Sequence, residues 1–424
     1  SSERMVRNSS TCSNTSKLAI VIAFVIVLKL FSMQSSFSKV NDCAKAAITT
    51  SPPPSNFSEK EFMEKGFDPS ENLDIDGDAE IDEEITDEMK KVIDALRIQI
   101  QKETKKYRLP SFREVGDLVP EEGGTPMRSI VITTWRSGST FIGGVLNSHP
   151  ATFHFSEPLT EYRTVQIRGE PLASPAVRTL HSLLTCNYQF LERYLARNKN
   201  YTWLSTHNTR LWQHCVKHQD FCWLPQFLKP VCRLFPFMSM KVVHIRLRLV
   251  EALLADPQLN VRVVLLVRDP RGIMESRSVL SWCRVHEDCA SATRVCADLV
   301  DDYSAAVRFQ TMFPDKFRVV RYEEMSLRPN EVIPDIFTFF GLQYHPEVQK
   351  FVKGHTTKSN KYKYSTFRNS TETALMWRRK SDYSRVSEVQ KTCRVALSAW
   401  GYLPAHNASH QLVFNPLVEP FHLP

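Results

Sequence analysis

The chain has 424 residues, 42% of them hydrophobic, enough to bury a sizeable core, which excludes both a disordered chain and a small disulfide-stapled module. Its net charge of +8 is unevenly spread: residues 59–90 hold 14 Asp or Glu against 3 Lys, a local −11 that leaves +19 on the remainder. A body that basic suits anionic ligands.

In chain order, the first feature is an unbroken apolar run over residues 18–28, extended past Lys29 through Leu30, Phe31 and Met33 and preceded by Arg4, Arg7 and Lys17. A full span needs ~20 residues, so this one is short and relies on Lys29 reaching an interface. The charge bias predicts a cytoplasmic tail at 1–17, a signal-anchor transmembrane segment at 18–33 and a lumenal remainder; a cleaved signal peptide is the rival reading.

Residues 34–124 read as a stem, largely disordered. Ser51-Pro52-Pro53-Pro54-Ser55 is an extended spacer, and the acidic run after it is too charged to fold alone. Asp74-Ile75-Asp76-Gly77-Asp78 resembles the start of a calcium loop, but Ala79 and Ile85 stand where glycine and glutamate are needed. Ile85, Met89, Val92 and Leu96 share one helical stripe of about two heptads, a face that could pair two stems into a homodimer.

From residue 125 to 424 the pattern changes to alternating strands and helices. Strands are expected at 129–133, 241–245, 261–267 and 318–322, and helices at 247–255, 296–309 and 330–340, which implies a parallel sheet with covering helices, an α/β fold. The first strand opens into Thr134-Trp135-Arg136-Ser137-Gly138-Ser139-Thr140-Phe141 and then a helix, so successive N–H groups and small hydroxyls converge on an anion site, with Arg136 adding full charge. It is not a Walker A loop, since the earlier glycine and the lysine are absent. The strand at 261–267 runs into Arg268-Asp269-Pro270-Arg271-Gly272-Ile273-Met274-Glu275-Ser276-Arg277, placing three arginines and a serine at a strand's carboxyl end, where a second phosphate contact belongs.

Eight cysteines fall in this part: Cys186, Cys215, Cys222, Cys232, Cys283, Cys289, Cys296 and Cys393. An even count suggests disulfides, with 105 pairings open. The cluster of His214, Cys215, His218 and Cys222 lacks the usual zinc spacing. Sequons stand at Asn56, Asn200, Asn369 and Asn407, compatible with lumenal exposure.

Together, the two phosphate motifs resemble those of the Golgi carbohydrate sulfotransferases that act on the 6-hydroxyl of galactose, N-acetylgalactosamine or N-acetylglucosamine. Phe155-Ser156-Glu157-Pro158, Arg321-Tyr322-Glu323-Glu324, Arg368-Asn369-Ser370, Trp377-Arg378 and Gly401-Tyr402 extend the resemblance over about residues 125 to 405. Gly272 departs from it, standing where alanine is more usual, and residues 187–236 match nothing in it.

The resemblance implies a P-loop-like nucleotide sulfotransferase fold and sulfuryl transfer from 3′-phosphoadenosine 5′-phosphosulfate to a glycan or glycosaminoglycan. It also implies a Golgi membrane location of type II, with the membrane reached through the N-terminal anchor, and no nucleic acid partner. Residues Arg136, Ser137, Gly138, Ser139, Thr140 and Phe141 would hold the 5′-phosphosulfate, and Arg268 with Ser276 the 3′-phosphate; Arg271 and Arg277 have a weaker claim. Arg136 would also stabilise the leaving phosphate. Glu157 is the expected general base, made more basic by partial burial, with His149 or His154 as alternatives. No metal is required. Two other classes compete: a nucleotide-dependent kinase, which should show a Walker B carboxylate, and a non-catalytic glycan-binding membrane protein, which would lack Arg136 or Arg268.

Overall fold

The computed structural model describes residues 84–109, 114–357 and 369–424. The apolar segment 18–33, the proline spacer, the 74–78 acidic run, Cys12, Cys43 and Arg368 lie outside them. Among the described residues no helix is long and apolar enough to cross a membrane.

The first described element is the helix Asp87–Thr104. Thr86 caps it by accepting from the Met89 N–H at 3.3 Å, and Asp87 and Glu88 suit the positive end of its dipole. Met89, Val92, Ile93, Leu96 and Ile100 are buried in the main core. The stripe expected to pair two stems is therefore spent inside the chain, and ordered structure reaches well before residue 125 rather than starting there.

Five strands, β1 (Met127–Ile132), β2 (Thr152–Ser156), β3 (Phe237–Val242), β4 (Val261–Val267) and β5 (Phe317–Arg321), form one parallel sheet in the order β2-β3-β1-β4-β5. Central β1 sets the register, with Ile130 opposite Met240 of β3 and Val263 of β4. Helices cover both faces of such a sheet, which is why its central strands are apolar almost without interruption. The expected β4 agrees with the structure, and those for β1 and β5 differ by one or two residues at their ends. The third strand, expected at 241–245, lies four residues earlier, because Ser239 and Lys241 are polar yet fully buried and interrupt the apolar signal. In β2, absent from the expected strands, Thr152-Phe153-His154-Phe155-Ser156 alternates as a half-exposed strand would, although all five residues are buried.

Parallel strands put all five carboxyl ends on one edge. The chain leaves β1 toward β2 and β3 on one side and later fills β4 and β5 on the other, so the sheet reverses direction beside β1. Ligands in open α/β sheets bind at such a point. Disulfides join Cys186 to Cys232, Cys215 to Cys222, Cys283 to Cys289 and Cys296 to Cys393.

Candidate active site

Leaving β1, the chain is tied to β4 by Thr133, whose hydroxyl donates to the Leu266 carbonyl at 2.7 Å. It then turns sharply, with Arg136 at φ 69° and Gly138 at φ 88°, into the helix Ser139–Asn147. Glycine is required at 138: a Cβ there would lie 2.4 Å from the Tyr322 ring. No side chain caps this helix, so its first N–H groups point into the turn. Beneath them Ser137 is fully buried, and its hydroxyl has no hydrogen-bond partner in the protein.

The turn after β4 closes on this loop. Arg136 Nε donates to Ser276 Oγ at 3.0 Å, and Arg268 Nη1 donates to the Arg136 carbonyl at 2.6 Å. The Arg268 guanidinium stacks 4.3 Å over Tyr322, and its Nε is buried without a protein partner. A cavity of about 470 Å³ opens here, lined by Arg136, Gly138, Ser139, Thr140, Phe141, Arg268 and Ser276. Seven of the eight expected phosphate-binding residues thus line one cavity, and Ser137 is buried in the same turn without lining it.

Sequence reasoning did not give Tyr322, His355, Trp377 or Lys380 a place in this wall. Tyr322 could have been found, since it directly follows a strand's carboxyl end; the others come from far along the chain. Gly272 acquires a reason here: a Cβ would come within 3.1 Å of Arg268 Nε and 3.2 Å of Trp377, so its absence lets both side chains close on the cavity.

Arg271 and Arg277 do not reach it. Arg271 is buried, bonded to both oxygens of Asp269, to Gln390 and to the Leu403 carbonyl. Arg277, its pKa pushed down to about 9 chiefly by burial, holds the Trp135 carbonyl and the Thr134 hydroxyl and so braces the loop from behind.

Glu157 follows β2 at φ 50°, and its carboxylate accepts from Lys241 Nζ at 2.6 Å. Burial by itself would raise the carboxyl, but the Lys241 ammonium, then His244 and His207, bring it below the ordinary value. The expectation of a more basic carboxylate is therefore corrected: Lys241, invisible as a partner 84 residues away, together with His244 and His207 outweighs desolvation. Glu157 does not line the cavity. It stands at the same edge, two strands from β1, which at the usual strand spacing is about 10 Å of backbone.

The alternative bases sit deeper. His149 lies in the core between Tyr107 and Thr152, with a pKa pushed down to about 3 mainly by burial, and His154 is buried against Ser239 with its pKa also lowered. Neither lines the cavity.

Residues 126–392 match the sulfotransferase domain family. The chain belongs to that family. It is an enzyme of the sulfotransferase class, and curated relatives agree. Carbohydrate sulfotransferase 5 of Homo sapiens is 26% identical over 338 residues, 70% of this chain and 82% of that protein. Carbohydrate sulfotransferase 1 of Mus musculus is 28% identical over 344 residues, 68% of this chain and 82% of that protein. Among solved structures, the sulfotransferase domain from the Synechococcus PCC 7002 olefin synthase is 14% identical and covers 66% of this chain and 96% of that one, with a TM-score of 0.36.

Proposed function

We propose that this sulfotransferase moves a sulfuryl group from 3′-phosphoadenosine 5′-phosphosulfate to a sugar hydroxyl, the 6-hydroxyl of N-acetylglucosamine, galactose or N-acetylgalactosamine in a glycan. The observation that carries the reading is the meeting of Arg136, Ser276 and Arg268 at one cavity, beside a turn whose Ser137 hydroxyl is buried without a partner. Two buried donors without protein partners, beside a glycine turn that a Cβ would fill, suit an anion with several oxygens. A carbohydrate acceptor is favoured by the names of the relatives, which match more than two thirds of the chain.

The donor supplies the activated sulfuryl group when bound. The turn from Arg136 to Phe141 holds the 5′-phosphosulfate, while Arg268 and Ser276 grip the 3′-phosphate and so reject ordinary nucleotides. Arg136, always charged, neutralises charge gathering on the leaving phosphate. In this reading Glu157, ionised beside Lys241, takes the hydroxyl proton. The N-terminal apolar segment makes this a single-pass type II protein of the Golgi membrane with its catalytic part lumenal.

The test is incubation with radiolabelled donor and a panel of desulfated glycans. Label should enter one of them, and Glu157→Gln should lower turnover by about two orders of magnitude with 3′,5′-adenosine bisphosphate binding unchanged. Arg268→Ala should weaken that binding about tenfold. Tighter binding of ATP than of the bisphosphate, or no labelled glycan, overturns the reading.

A further inference from the structure

Residues 187–236 hold none of the residues assigned above, yet one of their turns packs against the strand that leads into Glu157 and carries exposed aromatic side chains. The short 3-10 turn Thr202–His207 packs against β2, with Leu204 and Ser205 buried close to Phe155 and Ser156, the two residues that precede Glu157. The turn is thereby fixed to the strand that delivers the carboxylate. Its last residue, His207, is near enough to Glu157 and Lys241 for their charges to act on its ring.

Trp203 turns the other way. It is 50% exposed, and its ring meets that of His207 edge-on with centroids 6.0 Å apart and planes at 79°. Two residues earlier Tyr201 is also exposed, with the Arg197 guanidinium stacked 3.7 Å over it. A lone exposed aromatic is unremarkable. Here an exposed indole and an imidazole share one turn, and that turn is anchored to the strand that ends at the candidate base.

We propose that Trp203 is the platform on which a pyranose ring of the acceptor glycan stacks, directing a hydroxyl toward Glu157. A pyranose presents an apolar face of C–H groups, each slightly positive, that matches the negative face of an indole, while its rim of hydroxyls finds partners in His207 and Arg197. Burial and Lys241 lower the pKa of His207, so at neutral pH its ring can both donate and accept. That the bound sugar is the acceptor rests on the function proposed above; the stacking itself can be read by binding alone.

The experiment titrates the full-length chain calorimetrically with desulfated keratan and desulfated chondroitin tetrasaccharides, and separately with 3′,5′-adenosine bisphosphate. One tetrasaccharide should bind. Trp203→Ala should weaken it about three- to tenfold and Trp203→Phe much less, with nucleotide affinity unchanged in both, which also reports an intact fold. Sugar affinity unchanged in Trp203→Ala, or a wild type that binds neither tetrasaccharide, overturns the platform. A wild type that binds sugar through Trp203 but not the bisphosphate supports the platform and instead defeats the sulfotransfer assignment.

Discussion

Lys241 and Glu157, the proposed general base, form a largely buried ion pair. Lys241 is almost completely buried on β3, and its ammonium keeps the Glu157 carboxyl below the usual carboxylate range despite burial. A base with a lowered pKa is ionised across the neutral range, so the acid limb of kcat/KM due to Glu157 should fall below about pH 4.3, the ordinary glutamate value. Lys241→Met removes the attraction and leaves the desolvation, which moves the limb upward. The check is the pH profile of kcat/KM at saturating donor in wild type and variant; coincident acid limbs would show that Lys241 does not set the base. The same residues show why a sequence names a candidate more readily than its ionisation. Glu157 was legible from its Glu-Pro motif, whereas its partner is brought beside it only by the pairing of β2 with β3.

At the level of elements, the turn after β4 is held by the helix after β5. Glu323 of Tyr322–Leu327 accepts from the Asp269 N–H at 3.0 Å and from the Tyr402 hydroxyl at 2.7 Å, while Asp269 in turn caps Pro270–Ser278 and pairs with Arg271. Burial and the neighbouring Asp269 raise the Glu323 carboxyl to about 7. The folded state therefore binds this proton more tightly than the unfolded chain. Its contribution to stability is fully present below the unfolded pKa of about 4.3 and is lost as pH rises through about 7. Thermal melting at pH 5 and pH 8 should show a smaller drop in Glu323→Gln than in wild type. Equal drops would mean that Glu323 is already ionised in the fold. Arg268 leads directly into this turn, so the same clamp positions the residue proposed to grip the 3′-phosphate, a coupling that the motif Arg321-Tyr322-Glu323-Glu324 does not reveal without the sheet.

For the molecule as a whole, the C-terminal region is fastened to the helix Ala292–Met312 by Cys296–Cys393, which closes a separation of 97 residues, and by Trp400, whose indole N–H donates to the Leu299 carbonyl at 2.8 Å. Loop-closure entropy makes this bridge worth about 4 to 5 kcal/mol, against about 2 kcal/mol for Cys283–Cys289, which spans only 6. Paired Cys→Ser variants unfolded in urea should show that order, and a larger loss at 283 and 289 would contradict it. The sequence by itself determined the strand, tight turn and helix of the proposed phosphate site, because these are local and their small hydroxyls and arginines lie within a few residues of one another. It also determined the class of fold, since continuous apolar strands alternating with helices require a parallel sheet covered on both sides. Only the tertiary structure decided which of the 105 cysteine pairings forms, that the helix Asp87–Thr104 belongs to the core, that Glu157 is paired, and that Tyr322 and Trp377 close the cavity. Most of those depend on contacts between residues distant in the chain, for which no local pattern carries a signal; the short Cys215–Cys222 and Cys283–Cys289 bridges and Tyr322 at a strand's end are the local exceptions.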